Sequence, residues 1–539
     1  MMERVRSTLA GAIETPLSAD GAELHALPRD VDWLEVRADL VGDVDADWLR
    51  SRFGGMLLYS LRSTAEGGRG PASGAARRAR LVRAARRYDL VELEGDRDII
   101  PEVLDAVRPD ARVVSWHGPA DGFPALEARF ERFSRTPARL YRLVSAVERN
   151  GDELASLRLL GELRRSDTIA YAAGPVGFWT RLLAPQIGCP IVFGGIDPAE
   201  RNGREPSLFR LLNDYGLPRL SPVNELFGIV GARACQSRSP YLHNAAYRAL
   251  GVPALFVPLP IASFDDFWTR VVDAEELRRL GWSLNGLTVA SPHKEEALAR
   301  ASAISPMAQR AESTNVLVRC AAGWKADTTD PEGVLPLLRD RRIRVDRRRA
   351  AVVGCGGSGR AVAASLQLAG ADVTLVNRGV ERGRRAVQLL GMSFVPLADF
   401  SVDGYSLIVN ATPVGTGPGE MPFEVDRLDE QAIVVDHVYN GRPTPLMMAT
   451  RAMGRVAIEG REILLAQVGR QFERMVGREM PVMSMPGLAG AEWSETAAMG
   501  HRAPHRVTAV NMSGGGDRSH TAAVHDGHAS SKMRSAGQP

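Results

Sequence analysis

At 539 residues, 45% hydrophobic and 24% charged, the chain has a globular composition and is too long for one ordinary core, so two to four domains are expected. A net charge of +3 is small for this length and gives no expectation of a nucleic-acid or membrane partner. Cys189, Cys235, Cys320 and Cys355 are scattered without metal-ligand spacing, which suits a reducing cytoplasm with no metal site, and no apolar run reaches the length of a bilayer span.

From the start of the chain, apolar strand-like runs recur at residues 9–13, 33–38, 56–61, 90–93, 112–116, 140–147, 168–173 and 190–193. Between them, stretches such as 75–87 and 154–165 carry apolar residues at helical spacing. Eight strand–helix repeats predict an α/β fold beginning with a closed parallel (β/α)8 barrel over residues 1–222, with its chemistry at the C-terminal ends of the strands. Polar residues gather there: Glu35 and Arg37 on the second strand, Arg62 and Glu66 after the third, Glu92 on the fourth, His117 on the fifth, Arg181 after the seventh. Arginines beside a histidine suit a carboxylate-bearing substrate that undergoes proton transfer; Glu35, Arg37 and Glu92 equally suit a structural layer of ion pairs.

A linker over 218–222 precedes a new strand from Phe227, then a loop with Ser237 and Ser239 before a helix near Pro240. Two hydroxyls at a helix N-terminus can hold a carboxylate. Lys294 follows the strand 287–290 across a Ser-Pro turn, and it is one of only three lysines in the chain, with Lys325 and Lys532. The basic stretch 339–349 reads as a solvated connector.

The run Ala351 to Arg360, AVVGCGGSGR, is a strand entering glycines and then a helix. Gly354, Gly356 and Gly359 fit the dinucleotide-binding spacing, with Gly357 and Ser358 in the same turn, so phosphates are expected at the helix N-terminus. The next strand, 372–376, ends in Asn377 and Arg378 rather than an acidic residue, and Arg378 with Arg382 would clamp a 2′-phosphate, favouring NADP. Further strands are expected at 407–413 and 433–436 and a helix at 463–476; from 485 the low hydrophobicity predicts a disordered tail, whose histidines lack ligand spacing.

Two resemblances follow from these motifs. Glu35-x-Arg37-x-Asp39, Arg62-x-x-x-Glu66-Gly67-Gly68 and Ser115-x-His117 resemble type I 3-dehydroquinate dehydratase. That likeness implies substrate contacts from Glu35, Arg37, Arg62 and Arg181, proton transfer by His117, and an imine-forming lysine on the sixth strand. Arg142 stands at that lysine's place, no lysine precedes Lys294, and the loop at 205–208 lacks the family's P-G-Q lid. A guanidinium stays protonated and is no carbonyl nucleophile, so the imine route is closed.

From Phe227 to Gly477 the chain resembles shikimate dehydrogenase: Ser237-x-Ser239-Pro240, Ser291-Pro292-His293-Lys294, Asn315, Thr329-Asp330, the glycine turn, Asn410-Ala411-Thr412-Pro413, Asp436-x-x-Tyr439, Gly460 and Gln467. It implies Lys294 and Asp330 as the catalytic pair, substrate contacts from Ser237, Ser239, Asn315, Tyr439 and Gln467, and NADP contacts from Thr412 and Gly460 as well as the glycine turn. It also implies a two-lobed unit: a substrate lobe of 223–340 completed by 458–484, and an NADP-binding Rossmann domain of 341–457. Ala290 replaces a threonine whose hydroxyl the family uses on the substrate. The expected activity is NADP-dependent interconversion of 3-dehydroshikimate and shikimate, with small-molecule substrates as partners and a barrel of weak or absent dehydratase activity. The alternatives are a fully bifunctional enzyme using another dehydration mechanism, and a non-enzymatic sensor of the same metabolites.

Overall fold

The structure, a computed structural model, describes residues 7–200, 206–417, 419–439 and 442–481. The tail expected from 485, with its histidines, and Glu205 lie outside the described residues.

The first part is one sheet of eight parallel strands: β1 (Thr8–Ile13), β2 (Val31–Arg37), β3 (Met56–Ser60), β4 (Leu90–Glu94), β5 (Arg112–Pro119), β6 (Leu140–Ala146), β7 (Thr168–Ala173) and β8 (Ile191–Gly195). Each overlaps an expected run, because near-continuous apolar strands suit a parallel sheet buried on both faces. The helices Ala75–Ala84 and Leu154–Leu163 end earlier than expected, the second at Arg164, whose φ of 49° is left-handed.

The expected full closure needs correction. The strand order is β7-β6-β5-β4-β3-β2-β1-β8, and among the described residues no ladder joins β7 to β8. Two backbone groups on these strands have side-chain partners instead: the Ala172 N–H donates to the Thr180 hydroxyl (2.9 Å), and the Phe193 carbonyl accepts from Arg181 (2.6 Å). Buried backbone groups must be paired, and these side chains pair them without a ladder.

Two six-stranded sheets follow. The first has the order β10-β9-β11-β13-β14-β12, made of β9 (Glu225–Val230), β10 (Ala254–Leu259), β11 (Ser283–Val289), β12 (Ala303–Ile304), β13 (Val316–Cys320) and β14 (Gly323–Asp327). The second, all parallel, has the order β17-β16-β15-β18-β19-β20, made of β15 (Arg349–Val353), β16 (Asp372–Asn377), β17 (Ser393–Pro396), β18 (Leu407–Asn410), β19 (Ile433–Asp436) and β20 (Val456–Ile458). Its order reverses between β16-β15 and β18-β19, which opens a ligand crevice at the strands' carboxyl ends.

The helix Gly460–Val476 starts three residues before the expected one, because Glu459 and Glu462 form a reciprocal capping box at its N-terminus. Its Phe472, fully buried, packs with Phe227, Tyr247 and Phe256 of the first six-stranded sheet and its helix. Burying such a ring is worth about 1.5–3 kcal/mol, so the helix is held to a lobe that the chain left more than a hundred residues earlier. Among the described residues no helix is long and apolar enough to cross a membrane.

Candidate active site

Lys294 is the first residue of the short helix Lys294–Leu298, reached from β11 through the turn at Ser291-Pro292. Its ammonium is nearly buried and donates to Asp330 Oδ2 (2.6 Å) and to the Ser358 hydroxyl (2.7 Å). Asp330, just beyond β14, has its other oxygen held by the amides of Asn315 (3.2 Å) and Gln467 (3.1 Å). Asn315 is fixed in turn by the Thr329 N–H (2.8 Å). A buried carboxylate with two amide donors on one oxygen and an ammonium on the other is fully paired, and the ammonium bridges the two six-stranded sheets.

Ser239 opens the helix Ser239–Leu250, and its backbone N–H donates to the Ser237 hydroxyl (3.1 Å). Tyr439, just past β19, lies near Ser237, and burial pushes the tyrosine pKa up. The structure thus gathers Lys294, Asp330, Asn315 and Gln467 around one carboxylate, and Ser237, Ser239 and Tyr439 around another point.

In the glycine turn three glycines are needed for three different reasons. Gly354 has φ +109°, a Cβ on Gly359 would lie 1.8 Å from the Gly354 carbonyl oxygen, and a Cβ on Gly357 would lie 2.0 Å from Ser313 Oγ. Gly356, the N-cap of the helix Gly357–Leu368, would meet nothing within 4 Å. That open face at a helix N-terminus fits a dinucleotide's phosphates. Asn377 has a task inside the protein, accepting from the Cys355 N–H (3.1 Å) and so shaping the turn. Arg378 is exposed; Arg382 is half exposed and 3.5 Å from Glu295, which also takes Arg360 (2.9 Å). Thr412 packs on the turn, where its Cγ2 would meet a Cβ on Gly354 at 2.9 Å. At Gly460 a Cβ would strike the Val438 carbonyl oxygen at 2.3 Å, so the glycine lets the helix start sit against the strand exit.

Inside the barrel Arg142 is fully buried, donating to Glu35 (2.8 Å), 3.4 Å from Glu92, and lying over the Phe193 ring at 3.7 Å. Burial works against its charge, yet Glu35, Tyr171 and Glu92 outweigh it and hold its pKa above the ordinary value. Burial likewise opposes the Glu35 carboxylate, and Arg142, Arg62 and Arg37 overcome this to bring it to about 2. Arg37 is occupied elsewhere, bonded twice to Asp39 (2.9 Å each) and 3.3 Å from Glu14. Arg181 lies on the helix Phe178–Leu183 with its guanidinium 4.3 Å from the Tyr171 ring centroid. The ion-pair layer therefore exists, but its cation is Arg142 rather than Arg37.

The His117 backbone N–H donates to Glu66 (2.8 Å), while its Nε2 is buried without a hydrogen-bond partner, as are Nε and Nη2 of Arg62. Burial, then Arg62 and Arg142, hold the imidazole neutral well below its usual pKa; burial and the neighbouring Glu94 push Glu66 up to about 8. The buried Arg62 guanidinium, with Nε and Nη2 not hydrogen-bonded, suits an anion.

Sequence reasoning missed Gln471, whose amide donates to the Thr329 hydroxyl (3.3 Å) and whose oxygen accepts from Thr288 (3.2 Å). Its spacing of four from Gln467 on one helix was the available signal. It also missed His437, whose buried Nε2 has no partner and whose pKa burial lowers to about 4, near Asp330 and Lys294. Only its position one residue after Asp436 hinted at it.

Residues 13–210 match the family model of type I 3-dehydroquinase, and residues 229–317 that of the shikimate dehydrogenase substrate binding domain. The bifunctional 3-dehydroquinate dehydratase/shikimate dehydrogenase, chloroplastic, of Arabidopsis thaliana is 26% identical over 335 residues, 58% of this chain and 54% of that protein. A crystal structure of shikimate 5-dehydrogenase from Thermus thermophilus in complex with NADP(H) and shikimate is 29% identical, with 48% of this chain and 95% of that one covered at a TM-score of 0.43. The shikimate dehydrogenase (NADP(+)) of Acidiphilium cryptum is 36% identical over 262 residues, 48% of this chain and 92% of that protein. With a relative so alike along nearly its whole length, the chain belongs to the shikimate dehydrogenase family and carries a type I 3-dehydroquinase-like barrel ahead of that part.

Proposed function

We propose that the second part interconverts 3-dehydroshikimate and shikimate, with NADP as its cofactor and Lys294 and Asp330 as the catalytic pair. The observation that carries this is the buried Lys294 ammonium, 2.6 Å from Asp330 and 2.7 Å from Ser358 of the glycine turn, so that proton donor and nucleotide turn share one cleft. NADPH, when bound, supplies the hydride. Lys294 gives a proton to the ketone oxygen as charge gathers there, and Asp330 keeps the ammonium in place. Asn315 and Gln467 hold Asp330 through its other oxygen, so its free lone pairs face the lysine. Ser237 and Ser239 take the substrate carboxylate, with Tyr439 beside them. Gly354, Gly356, Gly357 and Ser358 cradle the pyrophosphate, Thr412 borders the turn, and Arg378 and Arg382 clamp the 2′-phosphate.

In this reading residues 1–222 are the barrel, 223–340 with 458–484 the substrate lobe, 341–457 the nucleotide domain, and the protein works in the cytoplasm. The barrel binds its ligand without covalent chemistry: Arg142 cannot form an imine, and Glu35 and Glu92 keep it charged. Arg62 supplies donors that have no hydrogen-bond partner, with the neutral His117 imidazole near them.

Two assays test this. Oxidation of NADPH by 3-dehydroshikimate should be rapid and that of NADH much slower; no turnover with either leaves the sensor reading. Borohydride with 3-dehydroquinate should leave the mass of the barrel unchanged, and a covalent adduct there would overturn the non-covalent reading.

A further inference from the structure

The loop that carries Ser237 and Ser239 is held from the barrel. The barrel's last helix, Leu208–Tyr215, runs beside the helix Ser239–Leu250, and the Arg248 guanidinium donates back to the Asn213 carbonyl (3.0 Å). From this barrel helix Arg210 sends Nη2 to the Cys235 carbonyl (2.5 Å). Its Nη1 donates to Glu200 (3.3 Å), in the loop after β8, and Asp214 lies 3.9 Å from Nε. The guanidinium also sits 4.9 Å from the Phe178 ring centroid. Cys235 Sγ reaches the Pro175 carbonyl of the barrel at 3.9 Å. Two carboxylates, a ring and a carbonyl thus fix one largely buried fork.

Cys235 belongs to the single 3-10 turn Ala234–Gln236, and the Ser237 N–H closes onto the Ala234 carbonyl (3.1 Å). The two serine hydroxyls follow at once. For both to meet one carboxylate, the turn must be fixed before substrate arrives; otherwise ordering it is subtracted from binding. A charged donor on the Cys235 carbonyl does this from outside the substrate lobe.

We propose that Arg210 is a positioning residue for the dehydrogenase, and that the barrel, lacking an imine-forming lysine, serves as the buttress of the substrate-carboxylate loop. This rests on the reading that Ser237 and Ser239 bind that carboxylate. The predicted signature is a split: shikimate affinity depends on Arg210, while NADP affinity and the chemical step do not.

The test uses the full chain and three variants, Arg210→Met, Arg210→Lys and Ser237→Ala, with kcat and both KM values measured in the shikimate-oxidising direction. Arg210→Met keeps the stem on Phe178 and removes the donors. Its KM for shikimate should rise about tenfold, the loss of one charged hydrogen bond. Its kcat and its KM for NADP should stay within about twofold, as expected of a site remote from both. Arg210→Lys restores one donor and should recover part of the loss. An unchanged shikimate KM in Arg210→Met, a parallel loss in all three constants, or no recovery in Arg210→Lys overturns the proposal. If Arg210→Met does not fold, Arg210→Lys is read against the parent: a smaller rise confined to shikimate supports it, and none overturns it. A raised shikimate KM in Ser237→Ala with none in Arg210→Met sinks the buttress alone, whereas a normal KM in Ser237→Ala sinks the carboxylate reading beneath it.

Discussion

Replacing Lys294 by alanine removes an ammonium that bridges the two six-stranded sheets. A positioned acid typically contributes about 10²- to 10⁴-fold, or about 2.7–5.5 kcal/mol of transition-state stabilisation, so kcat for shikimate oxidation should fall by that factor. The fold should survive. Orphaning a buried carboxylate outright costs about 3–5 kcal/mol, but Asp330 keeps the Asn315 and Gln467 amides, which brings the expected loss nearer about 1–3 kcal/mol. NADP binding loses only the Lys294–Ser358 contact, so its Kd should move by less than about fivefold. Stopped-flow formation of NADPH from shikimate and NADP gives the first quantity, urea unfolding the second, and fluorescence titration with NADPH the third. A kcat within tenfold of the parent, or a loss of NADP affinity as large as the loss of rate, would refute the assignment of Lys294 as proton donor.

Three other outcomes are expected. Gly359→Ala drives a Cβ to 1.8 Å from the Gly354 carbonyl oxygen and should destabilise the fold by about 1–3 kcal/mol, whereas Gly356→Ala meets open space and should unfold at the parent's urea midpoint while losing NADP affinity; equal NADP affinity in Gly356→Ala would mean the phosphates pass elsewhere. Arg378→Ala combined with Arg382→Ala should reduce the preference for NADP over NAD by about tenfold or more in kcat/KM, and an unchanged ratio would reject the clamp. Glu66 has a folded pKa of about 8, above its ordinary value of 4.5, so the folded state holds the extra proton and stability falls as pH rises between those values. Glu66→Gln, whose amide oxygen can still accept the His117 N–H, should flatten that fall in urea titrations from pH 5 to 8; a slope identical to the parent's would show that Glu66 ionises normally.

Strand positions and the glycine turn were legible because both are local. Apolar runs of five to eight residues fit a parallel sheet wherever they pair, and Gly354 needs its positive φ whatever lies around it. The Lys294 and Asp330 pairing was legible through motif order. Less legible were the partners of individual arginines. Arg37 and Arg142 both alternate into the barrel on apolar strands, yet one turns to Asp39 and Glu14 and the other to Glu35 and Glu92. Nothing in the spacing of Glu35 and Arg142, 107 residues apart, distinguishes these outcomes.

By itself, then, the chain of residues determined that an α/β protein would form, that a nucleotide turn would follow β15, and that no lysine would be present in the barrel to make an imine. Backbone conformation and side-chain chemistry are carried by each residue wherever it lies. Tertiary structure alone decided that Thr180 and Arg181 pair backbone groups of β7 and β8, strands that no ladder joins among the described residues, that Gly460 makes room for the Val438 carbonyl, and that Arg210 reaches out of the barrel to the Cys235 carbonyl. Each of these depends on which distant groups packing brings within about 3 Å, and a hydrogen bond's short reach makes that a property of the folded arrangement.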